Sequence, residues 1–459
     1  MKTLILHLKR FSIYSLMFAS VGFAACEDEN RQDMTPEIGE GEATPTITMY
    51  TPTAGGKSTI LTLYGTHFGT DLDNIRVTVN GVDAEVTGAL GNIITAKVQR
   101  GSGSGPVKVY LGQGEAALEL TYKTEFEYSQ SPIVSSYIGS YVPKAKTEKK
   151  EGALMEAVLW RPGSIAFDKE GALYIAEDDD RDIRIAKNNQ VATFLRGDAT
   201  GGTVFRMMNI AFSLDGNTLF LSNDVNDKGY ADIATMRWSN DTHQYDASNL
   251  SAIGLNPAPP KYGVTNVGVH PVTGEIFSVA HENAMIYKYD PVQNTMVATG
   301  MQLPDAEGKN AAKVKIRCIL FDKAGTTVYM SSEDKHVIYK GDYDISTHKF
   351  SNLHIWVGQY GQEGFTEGHG NEAKLKNPCQ MDLDEEGNIY VAVRAMHRIA
   401  KITPDGMLTS YTGTGKSGTT DGPLDKAQFN HPEGLQFGPD GALYISERWN
   451  HKIRKIEKD

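Results

Sequence analysis

Three segments of twelve residues decide the fold, because they align without gaps and recur at a regular distance. They are residues 151–162 (EGALMEAVLWRP), residues 367–378 (EGHGNEAKLKNP) and residues 421–432 (DGPLDKAQFNHP). Each segment starts with an acidic residue and a glycine, has alanine in seventh place and leucine or phenylalanine in ninth, and ends in proline. The second and third prolines are 54 residues apart, and the first and second are 216 apart, four times that distance. This spacing predicts a repeat architecture with diverged copies between the first two segments.

Six units can be recognised, each consisting of a hydrophobic run, a glycine turn and a second hydrophobic run. They lie at residues 165–176, 210–222, 267–280, 319–331, 381–392 and 435–446. Most are followed by a polar hairpin and a third strand, and we expect an outer fourth strand in each unit. Six units of four strands predict a six-bladed β-propeller over residues 124–459.

The sixth unit ends, at Asp459, just after its third strand. Residues 134–139 (VSSYIG), which precede the first unit, are similar to the outer strand at residues 408–413 (LTSYTG). An incomplete blade would expose a strand edge. We therefore expect residues 134–139 to complete the last blade and close the ring.

The units resemble NHL repeats, most clearly in the sixth. The pattern is carried by residues 432–434 (PEG), 440–446 (DGALYIS) and 450–455 (NHKIRK). The resemblance covers residues 134–459 and implies the propeller fold. It does not assign an activity, since one fold supports many functions.

The segment at residues 46–123 differs from the repeats. Short β-branched runs alternate there with glycine turns, which is typical of an all-β sandwich. Residues 52–69, with the strand TILTLYG at 59–65, and residues 79–81 (VNG) resemble an IPT/TIG domain, which implies an immunoglobulin-like fold. The predicted fold class is therefore all-β, with an immunoglobulin-like (IPT/TIG) sandwich followed by a six-bladed β-propeller.

The N-terminus has the features of an export signal. A basic start followed by apolar residues 11–25 is typical of a secretory signal peptide, which we predict over residues 1–25. The run FAAC at residues 23–26 resembles the lipobox of bacterial lipoproteins, and this resemblance implies lipidation of Cys26. The run EDE at residues 27–29 resembles the signal that sends Bacteroidetes lipoproteins to the cell surface.

Residues 26–45 are polar and acidic, as in a flexible tether. The expected product is a surface-exposed lipoprotein of the outer membrane, held there by its lipid anchor. The alternative is a secreted protein without an anchor.

The composition argues against a nucleic-acid partner. The chain of 459 residues has 45 Lys and Arg against 57 Asp and Glu, a formal charge of −12. Such a chain repels phosphate backbones. Three cysteines are too few for a disulfide framework or a cysteine zinc cluster. We expect no cofactor.

The candidate site lies on one face of the predicted ring. Tight turns between the first and second strands of each blade occupy one face of the ring. The linkers between blades and the hairpins between second and third strands occupy the other face, here called the long-loop face. Binding residues usually lie on such loops. The candidate ligand-binding residues are Trp449, His451, Arg448, Arg394, His397, Glu433 and Arg317. Trp449 is expected to stack on a sugar ring, with charged groups on both sides that suit a hydroxyl-rich or acidic sugar.

Several candidates have structural alternatives. His336, His397 and His451 occupy the same repeat position, so they could have a structural role in the hairpins rather than bind a metal. Arg317 and Glu433 could form an ion pair between blades. Cys318 and Cys379 are typical of small buried residues, and a disulfide between neighbouring blades is the alternative.

Two functions from different classes remain open from the sequence. The first is the binding of an extracellular polysaccharide or oligosaccharide, alone or together with an outer-membrane transporter complex. The second is a metal-dependent hydrolase or lyase with its site at the channel mouth, as in six-bladed relatives. The channel positions offer a single carboxylate, Glu433, which is a poor ligand set for a metal. No catalytic or metal-binding residue is therefore assigned.

Overall fold

The structure is a computed structural model that describes residues 44–57, 59–128, 132–139, 149–177, 182–197, 206–224, 232–258 and 263–457. Cys26 and the predicted signal peptide lie outside these residues. Within them, no helix is both long enough and apolar enough to cross a membrane. The helical elements described are four 3-10 turns, at Leu72–Asn74, Gly114–Ala116, Gly370–Glu372 and Arg394–Met396.

The first domain is a β-sandwich of eight strands. They are β1 (Thr46–Thr51), β2 (Ala54–Gly55), β3 (Ile60–Gly69), β4 (Ile75–Val79), β5 (Val82–Ala89), β6 (Gly91–Lys97), β7 (Gly105–Leu111) and β8 (Leu118–Tyr128). Their order is β1-β3-β6-β5-β4-β7-β8-β2. Alternation along β3 builds the core, since Leu61 and Leu63 are fully buried while Ile60 is exposed. The last strand continues to Tyr128, beyond the end predicted at residue 123.

The remaining strands form six further sheets. Blade 1 contains β10 (Gly152–Ala153), β11 (Pro162–Phe167), β12 (Leu173–Glu177), β13 (Asp182–Lys187) and β14 (Gln190–Leu195), after the separate strand β9 (Ile133–Ile138). Blade 2 contains β15 (Met207–Phe212), β16 (Thr218–Asn223), β17 (Ile233–Ser239) and β18 (Gln244–Ile253). Blade 3 contains β19 (Leu255–Asn256), β20 (Gly268–Val269), β21 (Ile276–Val279), β22 (Met285–Asp290) and β23 (Thr295–Gln302).

The last three blades follow the same plan. Blade 4 contains β24 (Ile316–Phe321), β25 (Thr327–Ser332), β26 (Val337–Asp344) and β27 (Lys349–Val357). Blade 5 contains β28 (Gly368–His369), β29 (Pro378–Leu383), β30 (Ile389–Val393), β31 (Arg398–Ile402) and β32 (Met407–Thr412). Blade 6 contains β33 (Gly422–Pro423), β34 (Pro432–Phe437), β35 (Leu443–Glu447) and β36 (Lys452–Glu457). The innermost strands of neighbouring blades contact one another around a closed ring, which confirms the six-bladed β-propeller.

The ring is closed by β9, which pairs antiparallel with β36 and supplies the outer strand of blade 6. Val134 and Ile138 face Ile456 and Ile453 across this pair, and all four side chains are buried. Hydrophobic burial thus supports the closure as well as the hydrogen bonds of the ladder.

The three twelve-residue segments have the same structure. Near its start, each adds a two-residue strand to the outer strand of its own blade, through the pairs β10–β14, β28–β32 and β33–β9. The alanine in seventh place and the leucine or phenylalanine in ninth are fully buried in all three. The final proline begins the inner strand. Each twelve-residue segment therefore runs from the outer strand of a blade to the inner strand that lines the channel.

Candidate functional site

Four of the seven predicted ligand-binding residues line one pocket on the long-loop face. The pocket has a volume of about 350 Å³. Its lining consists of Arg206, Met208, Lys315, Arg317, Glu333, Asn377, Arg394, Ala395, His431, Arg448 and Trp449. A fifth predicted residue, Glu433, pairs with three of the four arginines of this lining. Blades 2, 4, 5 and 6 all contribute.

Glu433, the second residue of the innermost strand β34, joins three blades. Its carboxylate forms ion pairs with Arg317 of blade 4 and with Arg448 of its own blade, the latter at 3.3 Å from Oε2 to Nη1. Arg394 of blade 5 is 3.6 Å away, measured from Nη1 to Oε2. The predicted alternative for Arg317 and Glu433, an ion pair between blades, is therefore present.

A second carboxylate, Glu333, completes the network and was not among the predicted ligand-binding residues. It pairs with Arg394, with Arg317 at 3.3 Å, and with Lys315 at 3.8 Å from Nζ to Oε2. Glu333, Arg394 and Arg448 each come directly after the second strand of their blades. This shared repeat position is the sequence signal that could have identified Glu333.

Both carboxylates stay ionised because of the cations around them. Burial acts to raise the pKa of Glu333, but Arg317, Arg394 and Lys315 lower it to about 2. Burial also opposes ionisation of Glu433, yet Arg317, Arg394 and Arg448 hold its pKa far below the ordinary value. Opposite charges at this distance favour the charged form. The network is therefore fully charged at neutral pH.

Trp449 lies at the edge of the pocket and is 45% exposed, as the prediction of a stacking platform requires. Part of its ring is already in contact with the protein. The Arg161 guanidinium carbon is 4.8 Å from the Trp449 ring centroid, and the His431 ring is 5.5 Å away. Arg161 also lies 5.0 Å from the ring of Trp160. Trp449 thus belongs to a group of aromatic side chains that packs around Arg161 at the edge of the pocket.

The structure places the two predicted histidines in contacts between blades. The Nδ1 atom of His397 accepts a hydrogen bond from the backbone N–H of His431, and that of His451 accepts one from Arg161. His336 makes the equivalent bond to Asn377. Each donor directly precedes the proline of a twelve-residue segment. These bonds fasten the hairpin of one blade to the inner strand of the next, which is the structural alternative for His397 and His451.

Polar side chains at the channel centre bond to one another and to the backbone. Ser164 Oγ is 3.2 Å from Gln380 Oε1, and Gln380 Nε2 donates to the carbonyl of Ile165. Asn209 accepts a hydrogen bond from the backbone of Val267. In the described part of the chain, no three His, Cys, Asp or Glu side chains are grouped so that they could hold a metal ion. Cys318 and Cys379 are buried free thiols.

A larger cavity of about 1090 Å³ lies on the opposite face, beside blades 5 and 6. Its ionic side chains pair largely within the cavity. Lys455 bonds to Asp440 and Glu457, and Lys401 lies 3.8 Å from Asp384. None of the predicted ligand-binding residues lines it.

Parts of the sequence match a family model and known proteins. Residues 45–128 match the model of the IPT/TIG domain. A stretch of 95 residues is 33% identical to Protein SUPPRESSOR OF QUENCHING 1, chloroplastic, of Arabidopsis thaliana, and covers 20% of this chain and 9% of that protein. A stretch of 81 residues is 31% identical to NHL repeat-containing protein 2 of Gallus gallus, and covers 17% of this chain and 11% of that one. The chain thus spans about a tenth of the length of these relatives.

Solved structures share the whole architecture. An auxiliary nutrient binding protein from Bacteroides ovatus superposes with a TM-score of 0.73 at 23% identity, over 91% of this chain and 99% of that one. A protein of the same description from Bacteroides thetaiotaomicron gives a TM-score of 0.69 at 22% identity, over 91% and 98%. The chain is therefore an all-β protein in which an IPT/TIG domain precedes a six-bladed β-propeller, and an NHL repeat-containing protein is among its relatives.

Proposed function

We propose that the protein captures an extracellular glycan at the pocket on the long-loop face and that it acts as a lipoprotein on the outer surface of the cell. The observation that carries this proposal is the pocket itself. It combines a half-exposed tryptophan, Trp449, with charged side chains of four blades, and the Glu333 and Glu433 network holds those of blades 4, 5 and 6 in place. Rigid positioning of polar groups around an aromatic surface is suited to binding sugars.

The solved neighbours support a binding role. Two of them, from Bacteroides ovatus and Bacteroides thetaiotaomicron, are described as auxiliary nutrient binding proteins. At 22–23% identity they share the fold with this chain, and their description agrees with the proposal. A further neighbour is provisionally named a phosphatase. A metal-dependent hydrolase or lyase remains the alternative function.

A glycan array with the chain from residue 44 onward tests the proposal, followed by calorimetry on the strongest ligand. Stacking contributes about 0.5–1.5 kcal/mol beyond buried area, so Trp449→Ala should weaken binding roughly tenfold. The thermal midpoint should change little, because the ring is half exposed. Leu214→Ala is the control, since Leu214 is 55% exposed on a tight turn of blade 2. Equal affinities of wild type and Trp449→Ala would refute this site, and loss of binding on chelation would favour the metal enzyme.

A further inference from the structure

We infer that the pocket binds an acidic group of the captured ligand, namely a carboxylate, sulfate or phosphate carried by a sugar. This inference rests on the proposed function and narrows the hydroxyl-rich or acidic sugar expected from the sequence to the acidic class.

The charge of the pocket is the first observation. Five cationic side chains line it: Arg206, Lys315, Arg317, Arg394 and Arg448. The carboxylates bonded to them are Asp224, Glu333 and Glu433. Burial, His397 and Arg394 lower the pKa of His431 to about 4, so this ring is neutral at pH 7. The five cations and the three carboxylates bonded to them therefore carry a net charge of +2, in a chain whose formal charge is −12.

This charge persists across the physiological pH range. Since Glu333 and Glu433 have pKa values far below 7, protonation cannot change the balance between acids and bases. Positive charge held in a partly buried pocket attracts a counter-anion more strongly than it would in open water.

Three of the five cationic side chains are exposed enough to contact a ligand. The side chains of Arg206, Lys315 and Arg394 are 40%, 21% and 19% exposed. Guanidinium groups bind carboxylate, sulfate and phosphate through two parallel hydrogen bonds. A volume of about 350 Å³ is at the small end of ligand pockets, so it would accept one acidic sugar residue while the rest of a chain extends past Trp449.

The larger cavity on the opposite face has the opposite charge. Its lining includes Asp384, Glu385, Glu386, Asp440 and Glu457 against Arg100, Lys401 and Lys455; with Lys323, which pairs with Glu385, the net charge counted in the same way is −1. An acidic sugar would be repelled there. The two faces of the ring therefore differ in the class of ligand that they favour.

The test compares matched pairs of polymers by biolayer interferometry: polygalacturonate with its methyl ester, dextran sulfate with dextran, and phosphomannan with mannan. We expect at least one acidic member to bind ten times more tightly than its neutral partner, and its affinity to fall with increasing salt. The three pairs separate carboxylate, sulfate and phosphate.

Two pocket variants locate the effect. Lys315→Gln and Arg206→Gln should each weaken binding of the acidic polymer about tenfold. Lys313→Gln, two residues from Lys315 and paired with Glu282 outside the pocket, should bind like the wild type. If Lys315→Gln fails to fold, the more exposed Arg206→Gln decides.

The outcomes separate the two claims. Neutral polymers that bind as tightly as acidic ones, with loss in Trp449→Ala, would overturn the acidic ligand and keep the proposed function. Equal loss in Lys313→Gln and the pocket variants would overturn the location. A protein that binds no glycan, acidic or neutral, would overturn both.

Discussion

At the scale of single residues, the charged network at the channel mouth links the stability of the ring to the shape of the proposed binding pocket. Glu433 is 2% exposed and has three arginine partners drawn from blades 4, 5 and 6. Removing one partner from a buried ion pair is costly because the remaining charge loses its compensation. The same residues therefore hold the blades together and shape the pocket.

We expect Glu433→Gln to lower the free energy of unfolding by about 3–5 kcal/mol, since Arg317 and its neighbours would keep their charges without this carboxylate. Urea denaturation followed by tryptophan fluorescence measures the change. Glu307→Gln is the control, because its pair with Lys309 is largely exposed. A variant as stable as the control would mean that the network adds nothing to stability.

The network also predicts how stability depends on pH. The pKa of Glu333 is about 2 in the folded protein, against an ordinary value of 4.5. A lowered pKa stabilises the fold above pH 4.5, and this contribution is lost as the pH falls from 4.5 towards 2. Denaturation midpoints of Glu333→Gln should therefore fall less steeply than those of the wild type over this range. Parallel curves would contradict the assignment.

At the scale of secondary-structure elements, the ring depends on contacts between blades. Three histidines with positive φ, His336, His397 and His451, accept hydrogen bonds from the next blade. The strand β9 completes blade 6. The histidine hydrogen bonds and the strand β9 can each be removed separately.

Replacing His451 by alanine should destabilise the protein by about 1–3 kcal/mol, because the N–H of Arg161 loses its acceptor and Trp160 loses its stacked partner. His243→Ala is a matched control. His243 also has a positive φ, of 50°, and its side chain is 69% exposed, so its contact with Glu170 at 2.9 Å lies at the surface, where such pairs contribute little. Subtracting the two changes in unfolding free energy removes the backbone strain that alanine introduces. No difference would refute the role of His451 in fastening the blades.

The closing strand is tested by two truncations. A chain that starts at Pro132 keeps β9 and lacks the sandwich, and should unfold in one sharp thermal transition. A chain that starts at Lys149 also lacks β9 and exposes the edge of β36, so it should aggregate or unfold gradually. Calorimetry and light scattering distinguish them. Identical melting of both chains would show that β9 is dispensable.

At the scale of the whole molecule, the proposed surface location rests on the N-terminal sequence. We expect Cys26→Ala to release the protein from the membrane fraction, because the acyl chains that provide the anchor would not be attached. Protease added to intact cells should degrade the wild type. Complete protection in intact cells would instead place the anchored protein on the inner side of the outer membrane.

The repeats alone predicted the number of blades, the strand that closes them and the face with the long loops. These features depend on local patterns: a hydrophobic run, a glycine turn, and buried positions such as Ala427 and Phe429 within a fixed period. The IPT/TIG fold of the sandwich was likewise predicted from its motifs, and the family match confirms it.

Only the tertiary structure decided which loop residues meet. Glu333 and Glu433 are 100 positions apart in the chain, yet both bond to Arg317 and Arg394, because closure of the ring brings blades 4 to 6 around one channel mouth. Likewise, His451 accepts a hydrogen bond from the backbone N–H of Arg161. These two residues become neighbours only when β9 joins the last blade to the first. A repeat pattern fixes the place of each residue within its blade. Contacts across the ring depend on side-chain length and charge, which vary from blade to blade.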